Sequence, residues 1–149
     1  MSSEANKALV RRIVAEIWNR ANLDAADELY APDYTRNGEV LGPAGVRHMF
    51  AVLTAAMPDL HYTIDDIVAE GDKVVFRGRS HGSHTGEWAH PTLGRLAPTG
   101  REITMRGIGF YRVADGRATE VWTFGDAALF LQQIGATVVP PAQMAGVAG

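Results

Sequence analysis

The residues best suited to chemistry lie in three places. His81 and His84 stand three apart in SHGSHTGEW, with His90 just beyond. In a regular strand that offset puts the two imidazoles on opposite faces, and only a bulge at Gly82 would bring them together. A His-x-x-His pair near a third histidine suggests zinc, but the chain has no cysteine and no clear carboxylate partner to complete a tetrahedral set. Asp126 is the carboxylate at the junction between an apolar strand-like run and a helix-like one. Burial against Trp88, Trp122 and Phe124 would raise its pKa and make it a usable acid or base. The same residue reads equally as a helix N-cap held by the Ala128 or Leu129 amide, which would lower its pKa and make it a poor acid. The third group is aromatic or soft: Trp18, Tyr34, Trp88, Met105, Tyr111 and Trp122. It would either line a slot for a planar ligand, with three tryptophans meeting at its mouth, or fill a core.

These residues need elements to position them. Residues 4–21 carry Leu9, Ile13 and Ile17 at spacing four and predict an amphipathic helix. Asp24 is placed to cap a short second helix carrying Leu29 and Tyr30, ended by Pro32, with extended chain at Asp33-Tyr34. Gly42-Pro43 opens a third helix striped by Val46, Met49, Phe50, Leu53 and Met57. The period then changes to two. Leu60, Tyr62 and Ile64 alternate with His61, Thr63 and Asp65, which puts Tyr62 in the core and His61 on the outer face. Strands follow at 73–83, 101–113 and 117–124, with a long Gly- and Pro-rich hairpin connection over 84–100. Asp126 to Ile134 is a short helix with Gly135 just past its end. The pattern predicts one α+β domain over 1–135, with about four antiparallel strands curved into a cone over three helices, and a loosely held tail over 136–149.

Composition excludes several classes. The chain has 149 residues, 46% of them apolar, 14 basic against 17 acidic, and a net charge of −3. Without a basic stripe there is no electrostatic footprint for nucleic acid. The absence of cysteine removes disulfides, thiolate nucleophiles and iron–sulfur clusters. No apolar run is long enough to span a bilayer, and the polar start lacks a leader's apolar core, so a cytoplasmic protein is expected.

Several separated stretches, in order, resemble one family. They are PDLHYTIDDIVAEGDKVVFRGRSHGSHTGEW, PTGREITMRGIGFYRVADGRATEVW and the closing DAALFLQQIG, joined by LDAADELYAPDY and the Trp18 helix. Together they look like the SnoaL-like polyketide cyclases of the nuclear-transport-factor-2-like fold, over roughly residues 6–135. The resemblance implies a cone with a ligand cavity, and cofactor-free chemistry on a small apolar polyketide or similar natural product. Such members are aldol cyclases or isomerases; other members are epoxide-hydrolase- or hydratase-like, or bind without catalysis. It also implies a homodimer through the outer sheet face, to which Val75, Ile108 and Phe110 would contribute. The cyclases' aspartate acid/base falls here at Thr123, and their assisting histidine at about Gly109, so both groups are replaced. Asp126 and His84 remain as candidates for catalysis, His84 falling where the family often carries a histidine at the pocket rim. Trp18, Tyr34, Trp88, Met105, Tyr111, Trp122 and Thr123 are the candidates for substrate binding. Glu120 with Arg106 or Arg112 is expected as a structural ion pair.

Overall fold

The computed structural model describes residues 2–136; apart from Ala136, the predicted tail lies outside the described residues. The first helix, α1 (Ser3–Ile13), is capped by the Ser2 hydroxyl, which accepts from the Ala5 amide at 3.1 Å. Leu9, Val10, Ile13 and Ile17 are buried, as their spacing requires. The helix does not stay regular to residue 21. Over Val14–Asn19 it widens into a π-helical turn, a feature that often marks functional positions. At its end the Asn19 side chain bonds both the carbonyl (3.0 Å) and the amide (2.7 Å) of Tyr62. That pins the helix to the sheet and sets Trp18 edge-on to Tyr62 at 4.7 Å.

A 3-10 turn (Leu23–Ala25) and the short α2 (Ala26–Leu29) follow. Asp24 lies inside that turn rather than capping it: the capping position is Asn22, whose side chain makes no capping bond and donates instead to Glu16 at 3.1 Å. α3 (Gly42–Ala56) begins where predicted. Gly42 sits at φ +63° with its backbone against the Pro32 carbonyl, a Cβ there falling 3.0 Å from that oxygen. The position suits glycine on both counts.

The sheet is larger than the sequence suggested. Six strands run in the order β2-β1-β8-β7-β4-β3. The antiparallel ribbon of β3 (His61–Glu70), β4 (Lys73–Ser83), β7 (Glu102–Ala114) and β8 (Arg117–Gly125) is the expected meander. To it are added β1 (Tyr30–Arg36), parallel to β8, and the two-residue β2 (Glu39–Val40). β1 hides in the sequence because Pro32 interrupts it, and its pairing with β8 breaks register between Tyr30 and Thr35 around that proline. The connection over 84–100 is not plain loop either: β5 (Trp88–His90) and β6 (Gly94–Leu96) form a separate hairpin.

The closing helix α4 (Ala127–Gln133) occupies the free edge of β7 beyond the end of β8. Gln133 does there what a strand would do. Its amide oxygen accepts from the Thr104 N–H at 2.6 Å and its amide nitrogen donates to the Thr104 carbonyl at 2.8 Å. Two edge groups of β7 are satisfied by one side chain. No helix among the described residues is long and apolar enough to cross a membrane.

Candidate functional site

The concave side of the sheet gathers rings from six elements. Trp18 stacks on Phe50 at 5.7 Å and meets Phe76 edge-on at 5.9 Å; Phe76 stacks on Tyr111 at 5.8 Å and meets Tyr62 at the same 5.9 Å; Tyr30 and Tyr34 cross at 4.7 Å. These offset and edge-on contacts are the favourable geometries for aromatic pairs. Gly109 lies under this cage, and a Cβ there would stand 2.4 Å from the Phe76 ring. The position that the resemblance assigns to a histidine is therefore roofed by an aromatic side chain.

The cage has a polar edge. Tyr30, Tyr34 and Tyr111 are each about 1% exposed. Burial pushes all three phenols well above the usual tyrosine range, and charge on one would oppose charge on its neighbour. The positive charge of Arg36 works against that rise at each of them, and the Trp18 indole N–H does so at Tyr30. That N–H is buried and reaches no acceptor in good hydrogen-bond geometry. Tyr62, partly open, is pushed up to about 12, chiefly by burial and then by Asp65. At neutral pH all four are hydrogen-bond donors. Thr123 sits on the same concave side next to Gly109. Its hydroxyl accepts from Asn37 at 3.1 Å and Arg36 at 3.4 Å, and its amide donates to Asn37 at 2.9 Å, so it fastens the β1–β2 turn.

A second apolar group lies toward the other end of the sheet. Trp88, Ile103, Ala56 and Met57 are buried there, with Met105, Phe130 and Ile134 packed around them. His84 is fully buried beside Trp88, its ring edge-on at 5.8 Å. One nitrogen, Nδ1, lies 3.0 Å from the Thr99 hydroxyl, and Nε2 has no partner. His90 stacks on Phe130 at 5.5 Å, accepts the Thr92 and Leu93 amides at Nδ1, and is held by burial below the usual histidine range. Ile103 and Tyr111 are separated by eight steps along β7, which amounts to roughly 26 Å of strand. Only a ligand elongated along the sheet would touch both groups. Leu53 of α3 packs against each and stands between them.

The convex face holds the rest. Asp126 is the N-cap of α4, accepting from the Leu129 amide at 3.0 Å, and its other oxygen lies 3.6 Å from Arg106. Its side chain is 43% exposed. The capping reading is the one found; the burial among Trp88, Trp122 and Phe124 that would raise its pKa is not. Trp122 donates from its indole to Glu120 at 2.6 Å, and Glu120 pairs with Arg112 at 3.1 Å. An open crevice of about 400 Å³ runs past Asp126, between Arg77, Ile108 and Phe124 on one side and Arg79 and Arg106 on the other.

The nine predicted residues thus fall into three places: Trp18, Tyr34, Tyr111 and Thr123 at the cage; His84, Trp88 and Met105 in the second group; Asp126 and Trp122 on the convex face. The three tryptophans do not converge. Period-two alternation explains Trp122: it pairs with Phe110, and both point away from the Tyr111–Val121 side. Tyr30, Arg36 and Phe76 complete the cage but were not singled out. Tyr30 read as part of a helical stripe, and only the parallel pairing of β1 brings it beside Tyr111. Among the described residues no grouping of three His, Asp or Glu side chains is arranged to hold a metal ion.

Comparison with known proteins agrees with this architecture. The model of the SnoaL-like polyketide cyclase family matches residues 8–134. TsrD from Streptomyces laurentii superposes with a TM-score of 0.80 at 26% identity, over 92% of this chain and 99% of that one. A protein from Acidithiobacillus ferrooxidans, provisionally named a polyketide cyclase, gives 0.76 at 29% over 91% and 98%. AclR from Streptomyces galilaeus, provisionally named a hydroxylase, gives 0.77 at 27% over 99% and 92%. No curated protein sequence matches. With the family's pattern spanning nearly every described element, the chain belongs to the SnoaL-like polyketide cyclase family.

Proposed function

We propose that the protein is a cofactor-independent cyclase or isomerase acting on a small, flat, apolar polyketide-like compound bound on the concave side of the sheet. The observation that carries this reading is the aromatic cage with polarity at one edge only: rings from six elements, among them three buried phenols, and an indole N–H. Such a lining grips a planar ligand by area and fixes its orientation through a few donors. The name of one similar protein, a polyketide cyclase, supports the substrate class. For the proton-moving step, His84 has the better geometry of the two candidates. Its imidazole is oriented by Thr99 through one nitrogen while the other is free, the arrangement of a general base with an orienting partner. A substrate that His84 serves must then reach past Leu53 into the second group. Asp126 acts as a helix cap. Purified, chelator-treated protein should convert an enolisable aromatic polyketide to a cyclised or isomerised product. His84→Gln should lose at least tenfold in kcat, while Asp126→Asn should retain turnover. Full turnover by His84→Gln would remove the proposed base.

A second reading, a binder without catalysis, is favoured by one observation. The two positions that carry acid and base in the family's cyclases hold Thr123, engaged by Asn37 and Arg36, and Gly109, roofed by Phe76. Tight binding with no consumption of any bound compound would select it.

The convex face supports a homodimer. Val68, Val75, Phe110 and Trp122 line up across four strands in direct register, with Ile108 and Phe124 exposed beside them. Flanking charges of both signs, Asp66, Arg77, Arg112 and Glu120, suit a two-fold self-match, in which a patch must complement its own copy.

A further inference from the structure

His84 is enclosed, and the segment that encloses it is held unlike the rest of the fold. Its imidazole is fully buried, and Nε2 is closed off from solvent without a hydrogen-bond partner. Buried polar atoms are nearly always paired, so a lone one points to a partner supplied in another state. Trp88 covers the imidazole edge-on and is itself 3% exposed. It belongs to the β5–β6 hairpin, a two-stranded sheet of three residue pairs that stands apart from the main sheet. A hairpin of that size is marginally stable alone. It is braced within itself: Glu87 pairs with Arg95 at 3.1 Å, and His90 accepts the Thr92 and Leu93 amides. Among the described residues, no hydrogen bond or ion pair ties residues 87–98 to the remainder of the chain. Within this segment only Trp88, His90 and Leu96 are covered, wholly or in part. Their contacts are apolar: Leu96 packs on the second group, and the Trp88 and His90 rings meet Phe130 of α4 at 5.3 and 5.5 Å.

The two ends of the segment are fixed instead. Thr85 and Gly86 both donate to the Ala56 carbonyl at the end of α3, at 3.2 and 3.0 Å, and a Cβ at Gly86 would collide with the Ala55 carbonyl oxygen. On the other side the Gly100 amide donates to the His84 carbonyl at 2.9 Å, and Gly100 takes φ +68° with open space around it. A braced body between two anchored glycines, with only apolar contacts to break, is built as a hinged lid.

We infer that residues 87–98 are a lid over His84, swinging about Gly86 and Gly100, and that its opening withdraws Trp88 so that the reactive end of a substrate takes the place beside Nε2. The inference rests on the reading of His84 as the residue that moves the proton, and it adds how that enclosed residue is reached. The substrate end that replaces Trp88 is flat and apolar, like the ring it displaces, and carries an oxygen for Nε2. Phe130 is the latch: it touches both Trp88 and His90 from α4, outside the lid.

Hydrogen exchange and diethyl pyrocarbonate labelling of the full-length protein test the lid. Amides of residues 88–96 should exchange together, about a hundredfold or more faster than paired amides of β4 and β7, while Thr85, Gly86 and Gly100 stay protected. His84 should be labelled far faster than the protein unfolds, although it is buried. Phe130→Ala should speed both the exchange of 88–96 and the labelling of His84 about tenfold, and Phe130→Leu less, with β4 and β7 unchanged. Exchange of 88–96 as slow as that of β4 would overturn the lid. So would labelling of His84 only at the rate of global unfolding, or an effect of Phe130→Ala confined to α4. The catalytic reading fails separately. Loss of kcat in His84→Gln with slow hairpin exchange would remove the lid and leave the base; full kcat in His84→Gln with fast hairpin exchange would keep the lid and remove the base.

Discussion

Gly109 shows how much one missing side chain decides. Phe76 occupies the space a Cβ would need, at 2.4 Å. Overpacking of a filled core costs about 1–3 kcal/mol. Gly109→Ala is expected to lower stability by that amount in thermal or urea unfolding, and Phe76→Leu in the same chain should recover part of it. The four tyrosines give a second expectation at this scale. All of them have raised pKa values in the folded protein, Tyr62 to about 12 and the other three well above the ordinary value, mainly through burial. Below pH ~10, the ordinary tyrosine value, each phenol is neutral in both states and the tyrosines add no pH dependence to stability. Above it the unfolded chain releases protons that the folded chain keeps, so stability falls as pH rises through the folded values. Tyrosinate absorbance should thus appear together with loss of circular dichroism above pH ~10; a smooth ionisation of all four in the folded protein would contradict their burial.

At the scale of elements, α4 is held by Gln133, which takes the place of a strand on the free edge of β7. Gln133→Leu leaves two backbone groups of Thr104 without these partners and should cost about 1–3 kcal/mol. Hydrogen exchange should localise the loss to α4 and to Thr104. Some of this architecture was legible in the sequence. The boundaries of β4, the start of α3 and the N-cap at Asp126 follow from local signals: alternation, Gly-Pro, and an aspartate before a helical stripe. β1 was not legible. Its partner β8 is far away in sequence, its alternation is broken by Pro32, and its parallel pairing leaves no hairpin turn to read. The site suffered for the same reason. Trp18, Tyr34 and Tyr111 belong to the cage, but Tyr30 and Arg36 join it only through that unread pairing. Trp122 was misplaced by one step of a two-residue period.

For the whole molecule, the fold has two usable faces of opposite character. The concave face collects rings and buried donors; the convex face exposes Phe124 and Val68 among paired charges. If a second copy covers the convex face, Phe124→Glu should yield a monomer by sedimentation velocity with an unchanged circular dichroism spectrum, since Phe124 is 69% exposed and supports no core. An unaltered dimer would place the interface elsewhere. The account as a whole depends on the concave face being the ligand site. The most direct measurement is a crystal structure with a tricyclic hydroxyanthraquinone bound. The account predicts density for the ligand against Trp18, Tyr34 and Tyr111. Density confined to the convex crevice beside Arg106 and Asp126, with the cage rings unmoved, would contradict it.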